Sequence, residues 1–306
     1  MQLFDLTDKN VLITGGTRGI GYAIAQGVKQ AGGRVWIHGS SEDRTRRIAE
    51  ENGFDYLYGD LRDQEGLDGM LRPFLSREDR LDVLINNAGF ETHSAIENAE
   101  EESMDAIYNV NTKSPYFLLQ KLLPALKKAG RASVINVTSI HQKVPVRENG
   151  YYCMAKASLG MFTKVAALEL AKYGIRVNNL APGAILTDMN RELVEAMDFE
   201  QWIPIGRVGR ADELIGPAVF LASDASSYVT GTTLYVDGNG VDFSNVPGED
   251  ADTADMIYIT GFPERAWYRV HNETKNISYG MSWDGKLFPY MWMWQVCGGS
   301  YGYPWY

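Results

Sequence analysis

Tyr152 and Lys156 stand four residues apart in a helical pattern, thirteen residues after Ser139. Positions four apart share one helix face, so the phenol and the ammonium can meet in one pocket. A phenol titrates near ~10, and bringing it to ~7 takes roughly 4 kcal/mol, which one cation about 4 Å away supplies at an effective dielectric of ~20. The spacing therefore predicts a tyrosine acid or base tuned by a lysine, the chemistry of proton transfer at an alcohol or carbonyl oxygen. Tyr-x-x-x-Lys by itself also occurs as a chance surface pair, so the surrounding chain has to decide. Tyr151 is a second phenol, but only Tyr152 has the lysine spacing.

The elements that would position this pair read clearly. Val11-Leu12-Ile13-Thr14 has the composition of a short buried strand, and the run Thr14 to Gly21 follows at once, leading into a helical pattern through Ala31. Glycines there let the backbone approach a pyrophosphate, and a helix N-terminus offers free N–H groups. Further strands are expected at Arg34 to His38, Asp55 to Tyr58, Val83 to Asn86, Ser133 to Thr138, Arg176 to Ala181 and Thr233 to Val236, with helical patterns between them. Such alternation predicts an α/β fold, a doubly wound (Rossmann) parallel sheet of seven strands with ligands beyond the carboxyl ends. The glycine turn, Asn86 to Gly89, Ser139 and Pro182-Gly183 all follow expected strands and should converge on one edge.

On these motifs, with Asp60 in Gly-Asp-Leu-Arg, Asn111, Thr187 and Tyr228 through Gly238, residues of about 5 to 240 resemble the short-chain dehydrogenase/reductases with a Tyr/Lys site. The resemblance implies Tyr152 as general acid/base, Ser139 orienting the substrate oxygen, and Lys156 holding the nicotinamide ribose and tuning the tyrosine. Asn111 would keep a water that relays protons from Lys156. Cofactor contacts are implied for Gly15, Thr17, Arg18, Gly19, Ile20, Gly21, Ser40, Ser41, Asp60, Leu61, Asn87, Ala88, Gly89, Tyr152, Lys156, Pro182, Gly183, Ile185 and Thr187. Asp60 would accept from the adenine amino group. A dimer or tetramer built on helices at Thr112 to Lys128 and Tyr152 to Tyr173 is implied as well.

An acid at the end of the second strand would favour NAD. Here the chain reads His38-Gly39-Ser40-Ser41, while Arg18, Ser40, Ser41 and Arg44 could meet a 2′-phosphate. NADP is favoured, with NAD as the alternative. Glu91, His141, Gln142 and Asn190 lie in stretches that look like glucose 1-dehydrogenases of the family, and together they would suit a polyol. Each alone reads equally as a solvated loop side chain. Residues 188 to 205, with Met189, Leu193, Met197, Phe199 and Trp202, read as a helical lid or as core packing.

The expected activity is oxidation of an aldose at its anomeric hydroxyl to a lactone. A 3-oxoacyl or small-ketone reductase and a non-enzymatic cofactor-binding scaffold or sensor are the alternatives. The formal charge of -10 argues against nucleic acid, and no apolar run is long enough for a membrane span. A cytoplasmic enzyme acting on a small molecule is expected. Cys153 and Cys297 imply no disulfide framework, and His38, His93, His141 and His271 form no metal-ligand spacing, so no metal is expected.

Residues 1–240 are read as the dehydrogenase domain and 241–306 as a linker and aromatic-rich extension. Asp242 to Asp255 is acidic and polar. Beyond it, Phe288 to Gln295 alternates like a strand, and the segment resembles a fragment of aldose 1-epimerases. The extension would pack as extra β structure, or its aromatics would wall a sugar site. The Asn272 and Asn276 sequons carry no weight without a secretion signal.

Overall fold

In the computed structural model the described residues are 2–187, 191, 203–238, 267–272 and 275–280. The described strands are β1 (Asn10–Ile13), β2 (Arg34–Gly39), β3 (Asp55–Tyr58), β4 (Val83–Asn86), β5 (Ala132–Val137), β6 (Ile175–Pro182), β7 (Ile185–Leu186), β8 (Gly209–Arg210), β9 (Thr233–Val236), β10 (Trp267–Asn272) and β11 (Lys275–Gly280). The α-helices are α1 (Gly19–Gln30), α2 (Glu42–Asn52), α3 (Leu67–Arg77), α4 (Glu101–Tyr108), α5 (Ser114–Ala129), α6 (Gly150–Leu170) and α7 (Ile215–Ala222).

Seven strands form one parallel sheet in the order β3-β2-β1-β4-β5-β6-β9. Each expected strand forms within a residue or so of its expected ends. The cause is double-sided burial: a strand covered by helices on both faces is apolar throughout rather than at alternate positions. Leu12, Leu84 and Val134 enter one core with Trp36, Phe74 and Leu122, while Ile13, Ile85 and Ile135 enter the other with Ile24, Val28 and Val219. Thus α3, α5 and α6 cover one face and α1, α2 and α7 the other.

The strand order reverses between β1 and β4, so the loops leaving these neighbours diverge and open a crevice above their carboxyl ends. A π-helical turn, Asn109–Lys113, joins α4 to α5 and places Asn111, fully buried, beneath that crevice. Such turns recur at functional sites. Strands β7 and β8 pair with each other and bracket residues 187–208, with Gly209 N donating to Ala184 O at 2.9 Å. Met189, Leu193, Met197, Phe199 and Trp202 of the expected lid lie outside the described residues.

The chain divides into units 1–244 and 245–306. In the second, β10 and β11 form an antiparallel hairpin with Trp267 opposite Gly280 and Asn272 opposite Lys275. The expected strand Phe288 to Gln295 lies outside the described residues, as do Cys297 and most of the extension's aromatics.

Candidate active site

The glycine turn is locked to the end of β4. Thr14 Oγ1 accepts from Asn87 N and Ala88 N, both at 3.0 Å, while Asn87 Nδ2 donates to Thr14 O at 2.9 Å and Gly15 O at 3.1 Å. Gly15 has φ +65°, and a Cβ on it would lie 2.9 Å from Ala88 Cα. A Cβ on Gly21 would collide with Asn87 Nδ2 and Gly15 O, so only glycine allows this approach. Thr187 closes over Gly19, lying 3.5 Å from where a Cβ would stand. The N-terminus of α1 carries no side-chain cap, because Arg18 is extended at the N-cap position without a capping bond. Its first N–H groups suit an anion.

The expected contacts lie on separate elements: Thr17, Arg18, Gly19 and Ile20 on the turn itself, Ser40 and Ser41 after β2, Asp60 and Leu61 after β3, Ala88 and Gly89 after β4, and Pro182, Gly183, Ile185 and Thr187 at β6 and β7. The first acid after β2 is Glu42, and it hydrogen-bonds Tyr58. Arg18 is exposed, and no carboxylate among the described residues pairs with it. Asp60 is clamped by Arg62, whose Nε lies 2.9 Å and Nη2 2.6 Å from Oδ2, and this pairing holds the carboxyl below its usual range.

The proton-transfer groups converge from β5 and α6. Ser139 lies two residues beyond β5, its Oγ accepts from His141 N at 3.1 Å, and it hydrogen-bonds the Tyr152 phenol. Lys156, 3% exposed, donates through Nζ to Val137 O at 2.8 Å and sits 5.5 Å from the Tyr152 ring centre. Asn111 is fixed by Phe90: Oδ1 accepts from its N at 3.1 Å and Nδ2 donates to its O at 2.8 Å. A Cβ on Gly89 would touch both Asn111 Oδ1, at 3.1 Å, and Lys156 Nζ, at 3.4 Å. Ser139, Tyr152, Lys156 and Asn111 therefore share one pocket.

Both members of the Tyr152–Lys156 pair are shifted by their surroundings. Burial dominates and pushes the phenol above its ordinary pKa, opposed by the Ser139 hydrogen bond and reinforced by the negative charge of Glu91. Burial also draws Lys156 down to about 8, while Glu91 pulls it the other way.

Glu91 reaches this position through Asn149, whose Nδ2 donates to Glu91 Oε2 at 2.8 Å. Asn149 is 2% exposed and occupies the N-cap position of α6. Read from sequence, an asparagine before a helix is a cap. Here its carboxamide makes no capping bond, which is why its role was not legible. The same loop is stitched to α6 by Ser94 N donating to Glu148 O and Glu100 N donating to Tyr151 Oη, both at 2.6 Å. That last bond ties the Tyr151 oxygen to the Glu100 backbone.

His141 Nδ1 lies 3.0 Å from Val144 O; a carbonyl only accepts, so Nδ1 carries the proton and Nε2 is left as an acceptor. Its ring centre is 6.3 Å from that of Tyr152. Gln142 instead faces inward, with Nε2 3.4 Å from Tyr235 Oη and its carboxamide over Gly160. Asn190 lies outside the described residues. No group of metal ligands forms among the described residues.

The chain matches, over residues 15–241, the family profile described as enoyl-(acyl carrier protein) reductase. It belongs to the short-chain dehydrogenase/reductase family. It is 35% identical to a 3-oxoacyl-[acyl-carrier-protein] reductase of Chlamydia pneumoniae, across 76% of this chain and 97% of that protein. It is 36% identical to an L-rhamnose 1-dehydrogenase (NAD(P)(+)) of Azotobacter vinelandii, across 76% and 96%. A gluconate 5-dehydrogenase from Burkholderia cenocepacia, solved with NADP and tartrate, superposes with TM-score 0.73 at 34% identity, across 78% and 97%. This short-chain dehydrogenase is an oxidoreductase acting on CH–OH groups. No helix among its described residues is long and apolar enough to cross a membrane.

Because Glu91 disfavours the phenolate, Glu91→Gln is expected to lower the Tyr152 pKa and move the rising limb of alcohol oxidation toward lower pH. Rate profiles of both forms at low salt check this. Superimposable limbs would remove Glu91 from the electrostatics of the site.

Proposed function

We propose that this short-chain dehydrogenase uses NADP to oxidise the anomeric hydroxyl of an aldose to a lactone. The observation that carries the reading is a pair of acceptors beside the reactive phenol, the Glu91 carboxylate held by Asn149 and His141 Nε2 freed by its tautomer. A substrate rich in hydroxyl donors satisfies both, and one lacking them leaves both unpaired. The sugar dehydrogenases among its relatives support the same class.

The uncapped N-terminus of α1, the close glycine turn, and Arg18, Ser40 and Ser41 in place of an acid suit a dinucleotide carrying a 2′-phosphate. When bound, the nicotinamide supplies the hydride acceptor. The chain's own residues handle the proton. Ser139 orients the reacting oxygen, Tyr152 as phenolate takes its hydrogen, and Lys156 beside Asn111 carries positive charge that steadies the phenolate and passes the proton outward.

The test is initial-rate formation of reduced cofactor from a panel of aldoses, sugar acids and simple alcohols, with NADP and NAD in parallel. Tyrosine-dependent turnover of an aldose with NADP is the expected result. A second reading, reduction of a 3-oxoacyl thioester or small ketone, is favoured by the protonated state of Tyr152, which suits a proton donor. Against a carrier-bound acyl group stands the charge of -10, which repels an acidic carrier. Silence on all sugars with reduction of an oxoacyl compound would make the second reading the right one.

The acid-base helix also supports an oligomer. Met154, Met161, Val165 and Leu168 on α6 and Tyr116 on α5 are exposed, Leu168 by 84%. We propose that they pair with a second copy, since contiguous exposed apolar surface of this kind marks an interface. Leu168→Glu is then expected to shift the mass measured by light scattering to that of a smaller species, and an unchanged mass would remove α6 from the interface.

A further inference from the structure

A row of polar side chains crosses the apolar middle of the sheet. Asn86 of β4, Asn136 of β5 and Asn179 of β6 are register partners in turn, and Asn179 lies opposite Thr233 of β9. The three asparagines are at most 2% exposed. The side-chain to side-chain hydrogen bonds along the row run one way. Asn86 Nδ2 donates to Asn136 Oδ1 at 2.8 Å, Asn136 Nδ2 to Thr163 Oγ1 at 2.8 Å, Thr163 Oγ1 to Asn179 Oδ1 at 2.5 Å, and Asn179 Nδ2 to Thr233 Oγ1 at 3.0 Å. The link between β5 and β6 therefore passes through a residue outside the sheet, Thr163 of α6, fully buried.

Buried amides are costly unless paired, so the row holds the Thr163 hydroxyl, which also lies 3.2 Å from Leu159 O, between Asn136 and Asn179. Apolar contact alone would not fix that place, because hydrophobic attraction has no direction. Thr163 follows Lys156 by seven residues and Tyr152 by eleven, close to two and three helical turns, so all three lie on the face of α6 turned to the sheet. Lys156 Nζ bonds Val137 O, the residue after Asn136. Helix α6 is thus pinned to β5 at adjacent residues, and Ser139 leaves β5 two residues beyond Val137. At the other end of the row, Asn86 leads directly into Asn87–Gly89, the wall of the crevice.

We infer that Thr163 is a positioning residue for proton transfer. Its hydroxyl sets the rotation and height of α6, so that Tyr152 meets Ser139 while Lys156 stays beside Gly89 and Asn111. The inference needs only the oxidoreductase chemistry of the family and holds whatever the substrate.

Thr163→Val keeps the side-chain shape and removes the hydroxyl, and Thr163→Ser keeps the hydroxyl. The expected result is a fall in kcat of about 100-fold for valine, the size of effect that ~1 Å of misplacement produces, with activity restored by serine. A substrate-free readout accompanies it. In protein labelled with 13Cζ-tyrosine, the Tyr152 resonance, identified by its absence in Tyr152→Phe, should move in the valine variant and return in the serine variant. A valine variant that melts earlier but keeps kcat and the Tyr152 resonance would reduce Thr163 to a stabilising residue and overturn the inference. Should the valine variant fail to fold, Thr163→Cys, with its weak hydrogen bonding, is expected to show an intermediate shift and loss, and wild-type values there would overturn it equally.

Discussion

Tyr152→Phe is expected to lower kcat by about 10³-fold, within the range set by loss of a general acid or base, while leaving cofactor binding and melting temperature near their wild-type values. The substitution removes one oxygen from a half-buried ring, and with it the bond to Ser139. The ring keeps its edge contact with His141, and Ser139 Oγ keeps the His141 N–H that already bonds it. Only the group that exchanges a proton with the substrate oxygen is gone. Steady-state rates with cofactor affinity measured by fluorescence check this, and a variant retaining a tenth of the wild-type kcat would mean that another group moves the proton.

The pH dependence follows from the same burial. Tyr152 sits above its ordinary pKa, so the phenolate required for oxidation becomes more populated as pH rises, while the phenol required for reduction persists well into the alkaline range. Oxidation should therefore climb with pH and reduction should stay level over the same interval. A fall in oxidation on the alkaline side of about 8, where Lys156 loses its proton, would show that the ammonium is needed in the transition state.

The strands were legible because a doubly buried strand announces itself as an apolar run ended by a turn residue, as Val11 to Ile13 and Val83 to Ile85 do. The convergence of Ser139, Tyr152 and Lys156 was legible for a related reason, since parallel topology sends every loop after a strand to one edge. What escaped depended on register and on burial depth. Asn86, Asn136 and Asn179 stand many residues apart in the chain, and only strand pairing brings them into one row. Asn149 carries no signal in the sequence of its bond to Glu91, which only the folded loop creates. Gln142, expected at the substrate, lies on the 3₁₀ turn after Ser139 with Nε2 3.4 Å from Tyr235 Oη.

Lys156→Met is expected to abolish turnover and to change stability in a manner that depends on pH. Burial draws the ammonium from its ordinary 10.5 to about 8, a gap equivalent to about 3 kcal/mol. Below pH 8 the lysine is protonated in both the folded and unfolded chains, so the full cost of burying the charge weighs on the folded state. Between 8 and 10.5 the folded protein releases the proton first, and the cost fades as pH rises. Methionine has no such term. It does leave Val137 O without the Nζ donor at 2.8 Å, a loss that is the same at every pH. The stability of Lys156→Met minus that of the wild type should therefore fall by about 3 kcal/mol from pH 7 to pH 10.5, whatever its starting value. Urea unfolding of the two proteins at a series of pH values measures the difference directly. Tyr152 titrates in both, so its contribution largely cancels. A difference that does not change with pH would mean that Lys156 ionises like a solvated lysine and is not the buried cation on which proton transfer at Tyr152 relies.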